Sequence, residues 1–189
     1  MGLVVVLSAP SGAGKNALLS ALAKEGVKLL HPISVTTRAP REGELDGREY
    51  YFRTPEAFDS LVAEGAFVEW AEVHGNRYGT LRAELDRCLA TGGDVVLELD
   101  VQGMRNLRRT DLPVMSVFLA PPSMEVLEQR LRARGTEDDA TIDLRLRNAA
   151  EEMAARHEFD HVIVNDELDR AAHEMRVFLD AARADLNVE

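Results

Sequence analysis

The sequence predicts an α/β fold, a parallel central sheet with helices as crossovers. Three observations predict it: short β-branched runs bounded by turn residues, longer stretches of helical periodicity between them, and a glycine-rich turn directly after the first run. In order, Leu3–Leu7 is an apolar strand that closes on Ser8-Ala9-Pro10-Ser11-Gly12. After Lys15, residues Ala17, Leu18, Leu19, Ala21 and Leu22 recur at helical spacing until Gly26. Further strands are expected at Asp94–Leu99, Val114–Leu119 and His161–Val164. Helices are expected at Leu81–Ala90, Ser123–Arg134, Asp138–Arg156 and Leu168–Leu186, with Ser123 and Asp169 as N-caps.

The stretch Ile33–Gly79 breaks this alternation. It carries aromatics, arginines, turn signals at Gly43 and Asp46-Gly47, and a short helix opened by Thr54-Pro55. It reads as an insertion that pairs its own strands. Asp138–Arg156 is a second departure, charged and rich in arginine. No repeat or low-complexity linker separates these parts, so they are read as subregions of one domain.

Bulk properties narrow the function. A chain of 189 residues is long enough for one domain with a proper core. Its net charge of −11 argues against non-specific nucleic-acid binding, although a local arginine cluster can still hold a small anion. Cys88 is the single cysteine, which excludes an internal disulfide and points to a reducing compartment such as the cytoplasm. It reads as a small apolar core residue. The N-terminal run has no basic leader, and no apolar run approaches a membrane span.

Ala9-Pro10-Ser11-Gly12-Ala13-Gly14-Lys15-Asn16 lies between a predicted strand and a predicted helix, the context a phosphate loop requires. Glycines let backbone N–H groups turn toward phosphate oxygens, the helix N-terminus adds positive potential, and the lysine reaches distal phosphates. The pattern G-x-x-x-x-G-K-[ST] is met in part. Ala9 replaces its first glycine, and Asn16 stands where a hydroxyl would meet Mg2+. The expected donor ligands are Ala9 to Ala17, with Asn16 meeting the metal directly or through water.

Beyond the loop, ordered segments resemble the guanylate kinase family along nearly the whole chain. They are Ser8–Lys15, Ser34-Val-Thr-Thr-Arg38-Ala-Pro-Arg41, Gly47-Arg-Glu-Tyr50-Tyr-Phe52, Glu69-Trp-Ala-Glu72 and Gly75-Asn-Arg-Tyr78-Gly-Thr80. Leu99-Asp100-Val-Gln-Gly103, Ala120-Pro-Pro-Ser123, Arg130-Leu-Arg-Ala-Arg134-Gly-Thr-Glu137 and Val164-Asn-Asp166 continue the series. The resemblance implies a P-loop NTPase three-layer α/β/α fold and an ATP:GMP phosphotransferase assisted by Mg2+. It divides residues 1–189 into a core (1–31, 80–124 and 158–189), a GMP-binding region (32–79) and a lid (125–157). It further implies a cytoplasmic role in purine nucleotide metabolism, feeding GDP toward GTP.

The site residues follow from the same resemblance. Arg38, Arg41, Tyr50 and Tyr78 resemble the clamp on the GMP phosphate, and forked guanidinium and phenol donors suit that anion. Glu69 resembles the carboxylate that reads guanine, with Ser34 and Thr80 completing base recognition; Glu72 is the competing carboxylate. Glu98 and Asp100, at the end of a central strand, would position GMP or metal-bound water, though one of them would serve equally as a solvated strand-end acid. Glu98 stands where aspartate is more usual. Arg130, Arg134 and Arg145 resemble lid arginines that neutralise the triphosphate and act in catalysis with Lys15 and Arg38. Arg147 reads as solvated. Asn165 resembles an adenine contact and is equally credible as a turn residue.

His157-Glu158-Phe159-Asp160-His161 spells a zinc pattern that works only on one continuous helix. The apolar run Val162-Ile163-Val164 follows at once, so His161 is expected to leave the helix. His31, His74 and His173 are scattered and read as structural or solvated. The rival functions are a non-catalytic guanylate-kinase-like binding module, favoured by Asn16, and a related P-loop kinase with another acceptor.

Overall fold

The computed structural model describes residues 2–73, 75–133, 135 and 138–186; His74, Arg134, Thr136 and Glu137 lie outside the described residues. In chain order the elements are β1 (Val4–Ser8), α1 (Lys15–Lys24), β2 (Leu29–Leu30), β3 (Val35–Thr36), β4 (Tyr51–Phe52), α2 (Pro55–Ala63), β5 (Phe67–Val73) and β6 (Asn76–Leu81). They continue with α3 (Arg82–Leu89), β7 (Asp94–Leu97), α4 (Val101–Leu107), β8 (Met115–Ala120), α5 (Met124–Ala133), α6 (Asp139–Ala154), a 3-10 turn (Ala155–Glu158), β9 (His161–Val164) and α7 (Leu168–Leu186). A five-stranded parallel sheet runs in the order β2-β7-β1-β8-β9, and a separate four-stranded sheet in the order β4-β3-β6-β5. The α/β class expected from the sequence is the observed one.

The chain forms two compact units. One comprises Val5–Lys28, Glu98–Val101 and Met115–Glu189. Within it β1 pairs β8 in parallel from Val5↔Met115 to Ser8↔Phe118, and β8 pairs β9 from Val117↔His161 to Ala120↔Val164. Val5, Val6, Leu7, Val117, Phe118, Leu119 and Ile163 are all fully buried, which is why these strands read as continuous apolar runs. Helix α7 packs on α1 and buries Ala171, Ala172, Met175, Leu179 and Ala182, one stripe at helical spacing. Helices α5 and α6 share a core of Leu127, Leu131, Ile142 and Ala149, edged by Met124 and Leu146. Burying each large aliphatic side chain there stabilises the pair by about 1.5–3 kcal/mol.

The other unit comprises Met1–Val4, Leu29–Leu97 and Gln102–Val114. Here β3 pairs β4 in parallel and β6 antiparallel, while β5 and β6 form an antiparallel ladder. The insertion thus pairs its own strands, as the turn signals suggested; Gly43 and Gly47 both take positive φ. Thr54 caps α2 by accepting from the Ala57 N–H at 3.2 Å, with Pro55 in the first turn. Phe58 of α2 stacks on Phe67 at 4.6 Å and meets Trp70 edge-on, fixing the helix to β5.

Three local expectations change. The strand expected at Asp94–Leu99 ends at Leu97, because the Leu99 carbonyl accepts from the Ser8 hydroxyl and Glu98 turns to Lys15. Asp169 is not the cap of α7: the helix starts at Leu168, the Glu167 carbonyl accepts the Ala171 N–H, and Asp169 sits in the first turn where its charge meets the helix dipole. The long helix expected to Arg156 ends at Ala154 and tightens into the 3-10 turn. Ser123 does cap α5, accepting from the Val126 N–H at 3.3 Å.

Candidate active site

The loop after β1 has the geometry that its glycines announce. Gly12 and Gly14 take φ of 98° and 100°, a region L side chains rarely adopt. A Cβ at Gly14 would come within 2.3 Å of the Asn165 carboxamide nitrogen, and one at Gly12 would press on Leu127 and Leu131. Gly14 is the N-cap of α1 and supplies no side chain; the first turn holds no acidic residue either. The opening N–H groups of α1 are thus left without a side-chain cap and surrounded by helix-dipole potential that favours an anion.

Several side chains of the same unit converge on this loop. The Lys15 ammonium pairs with Glu98 at 3.1 Å, both partly exposed. The buried Asn165 carboxamide donates to the Ala13 carbonyl at 2.7 Å. Arg130, on α5, donates to the Asn165 carbonyl at 2.9 Å and to the Ala13 carbonyl at 3.4 Å. Arg145, on α6, donates to the Ser11 hydroxyl. Asn16 is exposed in the first turn of α1, and Asp100 is half-buried beyond the end of β7. Of the expected donor-side residues, only Arg134 lies outside the described residues.

A carboxyl absent from the expected site residues lies within electrostatic range of two members of this group, Lys15 and Asp100. Glu152 is half-buried on α6, and burial lifts its pKa to about 7, with Asp100 and Glu151 adding to the rise and Lys15 opposing it. The signal available in the sequence was its spacing: seven residues after Arg145 is two helical turns, hence the same face.

The second unit gathers the expected acceptor-side residues. The Arg38 guanidinium holds the Glu44 carboxylate at 2.9 Å and lies 5.4 Å from the Tyr50 ring centre and 5.8 Å from that of Phe52. Tyr50 and Tyr78 meet edge-on at 6.0 Å. Glu44 accepts from the Arg41 N–H at 2.7 Å as well. Its hydrogen bond to Arg38 and the one from Arg41 hold its carboxyl below the usual carboxylate range, while Glu44 and Tyr78 keep Arg38 above its own. Glu44 is not among the expected residues; it lies between the turn signals at Gly43 and Asp46-Gly47. Its two carboxylate oxygens are held by the Arg38 guanidinium and the Arg41 N–H.

Glu69 and Thr80 face each other across β5 and β6, and the Glu69 carboxylate accepts from the Thr80 N–H at 3.0 Å. Both are buried, with Glu69 6% exposed. A register shift between Phe67 and Glu69 sets the alternation that turns Glu69 and Ala71 inward and Trp70 and Glu72 outward. Glu72 therefore does not share the face of Glu69. Ser34 is half-buried beside β3, its carbonyl accepting from the Tyr51 N–H at 2.9 Å.

The zinc-like pattern is divided. His157 lies in the 3-10 turn with Nδ1 at 2.8 Å from the Ala154 carbonyl, while His161 opens β9, stacks on Phe178 and contacts Glu174 at 3.0 Å. The two imidazoles share no helical face. Among the described residues no helix is long and apolar enough to cross a membrane.

A parallel sheet whose first strand feeds a glycine loop and an uncapped helix defines the P-loop class of α/β nucleotide-binding domains. Comparison with known proteins narrows the class. The family model described as Guanylate kinase matches residues 1–182. A guanylate kinase of Nitratidesulfovibrio vulgaris is 52% identical over 93% of this chain and 84% of its own length. One from Polaromonas sp. is 46% identical over 96% of this chain and 88% of its own. The crystal structure of guanylate kinase from Anaplasma phagocytophilum superposes with a TM-score of 0.74 at 36% identity, covering 96% of this chain and 86% of that one. The chain belongs to the guanylate kinase family.

Proposed function

We propose that the protein transfers the terminal phosphoryl group of ATP to GMP, giving ADP and GDP, in the cytoplasm. The observation that carries the donor half is the uncapped N-terminus of α1 behind Gly12 and Gly14, with Lys15 at its first position. Family membership supports GMP as the acceptor. The reducing compartment suits a single buried cysteine.

In this reading the loop from Ala9 to Ala17 cradles the donor phosphates through its backbone N–H groups, Pro10 having none, and Lys15 leaves Glu98 to follow the charge of the transferring group. Arg145, with Arg130 and Arg134 of the lid region 125–157, neutralises the triphosphate. Arg130 also braces the loop through Ala13, as Asn165 does, so Asn165 contributes at least a tie beneath the nucleotide whether or not it touches adenine. In the region 32–79, the acceptor phosphate replaces Glu44 as the anion held by Arg38, with Arg41, Tyr50 and Tyr78 around it. Glu69, Ser34 and Thr80 read the guanine edge, and Asp100 and Glu98 position the acceptor. The acceptor oxygen is already anionic, so no general base is needed.

Mg2+ fits the residues present. Asn16 presents a neutral carboxamide oxygen from an exposed position beside Lys15, a hard donor of the kind Mg2+ accepts when substrate phosphates supply most of its shell. Bound there, the ion would neutralise developing phosphate charge. Asn16→Ser is expected to keep or raise kcat, by up to about tenfold, at saturating Mg2+, measured as ADP formation. A large loss would show that the amide has a role of its own.

The reading is tested by a coupled assay of ADP formation with ATP, Mg2+ and each of GMP, AMP, CMP and UMP. GMP is expected to be preferred by about 10²-fold or more. Tight GMP binding without ADP formation would instead establish a binding module, a reading that Asn16 alone favours. Preference for another nucleotide would remove the guanine assignment.

A further inference from the structure

A carboxylate of α3 ties together the approaches to two short strands, and it has no part in the reaction scheme above. Glu84 stands in the first turn of α3, and its side chain is only 12% exposed. Both oxygens are engaged. Oε1 accepts from the Tyr51 hydroxyl at 3.1 Å, and Oε2 accepts from the Ile33 N–H at 3.3 Å. Arg87, one turn on, closes a fork over the same two oxygens at 3.3 and 2.8 Å. The helix dipole and the pair with Arg87 explain an acid at this position. Neither explains the bonds to Ile33 and Tyr51, which lie 51 and 33 residues back along the chain.

The two tethered residues are chain neighbours of expected GMP ligands. Ile33 precedes Ser34, assigned to the guanine edge, and Tyr51 follows Tyr50, assigned to the acceptor phosphate. The strands beside them, β3 and β4, hold two residues each and pair as Val35↔Tyr51 and Thr36↔Phe52. A ladder that short is marginal by itself. The Tyr51 N–H donates to the Ser34 carbonyl at 2.9 Å, which joins the two segments, and Glu84 ties both to a helix. That helix is anchored by its buried Leu85 and Cys88, and it starts just past Thr80, another expected base contact. All these groups belong to one unit, Leu29–Leu97 included. The Arg87 hydrogen bond, then those from Ile33 and Tyr51, hold the Glu84 carboxyl below the usual carboxylate range against the opposing effect of burial.

Resting on the acceptor reading above, we propose that Glu84 is a positioning residue for GMP. By holding the Ile33 N–H and the Tyr51 hydroxyl together, it sets Ser34 against the base and Tyr50 against the phosphate. No bond forms or breaks at its carboxylate. Without it, both segments are held by two-residue strands, and the groups for the two ends of GMP lose their common anchor. The cost falls on GMP use, because the phosphate loop that takes ATP lies in the other unit and contains none of these groups.

The experiment is steady-state ADP formation by the full chain, with GMP and ATP varied separately, for wild type, Glu84→Ala, Tyr51→Phe and the double variant. Glu84→Ala is expected to raise KM for GMP by about tenfold and to change KM for ATP by less than about twofold. Tyr51→Phe is expected to raise KM for GMP by about threefold and to add nothing in the Glu84→Ala background, because the hydroxyl acts through the carboxylate. A merely structural carboxylate would instead lower the folded fraction, which reduces apparent kcat and leaves KM unmoved. An unchanged KM for GMP, equal rises for GMP and ATP, or additive losses in the double variant overturn the proposal and leave the acceptor reading standing. Wild type without saturable use of GMP overturns both. Should Glu84→Ala fail to fold, Tyr51→Phe decides by itself, and an unchanged KM for GMP in that variant overturns the proposal.

Discussion

Lys15→Met is expected to lower kcat for ADP formation by about 10³-fold while weakening ATP binding by no more than about tenfold. The division follows from what each group supplies. Binding to the loop rests on backbone N–H groups, which the positive φ of Gly12 and Gly14 aims and which methionine leaves in place. The ammonium supplies a mobile point charge, and its present contact with Glu98 shows that the side chain reaches beyond the loop toward the segment after β7. A charge that can follow the transferring phosphoryl group matters more in the transition state than in the ground state, so the loss falls on kcat. Methionine keeps the apolar stem, and Glu98 is exposed enough to be solvated once its partner is gone, so the fold is expected to survive. Steady-state kinetics together with ATP binding at equilibrium check this. A fall in kcat below tenfold would remove Lys15 from the catalytic role, and a fall confined to ATP affinity would reduce it to a binding residue.

What the sequence disclosed follows physical lines. The phosphate loop was legible because its requirements are local: glycine where φ is positive, an apolar strand before it, helical spacing after it. The long strands were legible because burial on both faces leaves unbroken apolar runs, as in Val5–Leu7 and Val117–Leu119. Strand β2 holds two residues, and α4 holds seven with Gly103 inside; neither is long enough to show a period. The cap of α7 was misplaced because Asp166, Glu167 and Asp169 are all acidic, and only the backbone bond from Ala171 to Glu167 distinguishes them.

Site residues divide in the same way. Arg38, Tyr50 and Tyr78 were named through resemblance, and the structure brings them together. Glu44 and Glu152 were not named, because an acid in a turn and an acid in a charged helix each look solvated in one dimension. Arg38 becomes the partner of Glu44, and Lys15 comes within electrostatic range of Glu152, only after folding. The choice between Glu69 and Glu72 was open for a related reason. Three residues apart on a regular strand they would face opposite ways, and nothing in the letters says which faces inward. Burial of Glu69 and exposure of Glu72 give each its face.

Glu69→Gln is expected to reduce kcat/KM for GMP by about 10²–10³-fold and to change KM for ATP less than about threefold. Glutamine keeps the shape of the side chain, and its amide oxygen can accept from the Thr80 N–H as the carboxylate does now at 3.0 Å. The ladder between β5 and β6 is therefore preserved, and the melting temperature is expected to stay within a few degrees of wild type. What changes is the group offered to the base. Guanine presents N–H donors on the edge in question, and a carboxylate offers only acceptors. A carboxamide puts an NH2 group opposite one of those donors, losing a charged hydrogen bond and leaving two donors facing each other in a buried place. That combination costs about 3–4 kcal/mol, a factor of 10²–10³. AMP, with an acceptor at the corresponding ring nitrogen, should lose less, so discrimination between GMP and AMP narrows. Equal losses for GMP and ATP, or a GMP value unchanged beside an intact fold, would return Glu69 to the smaller role of closing a sheet hydrogen bond.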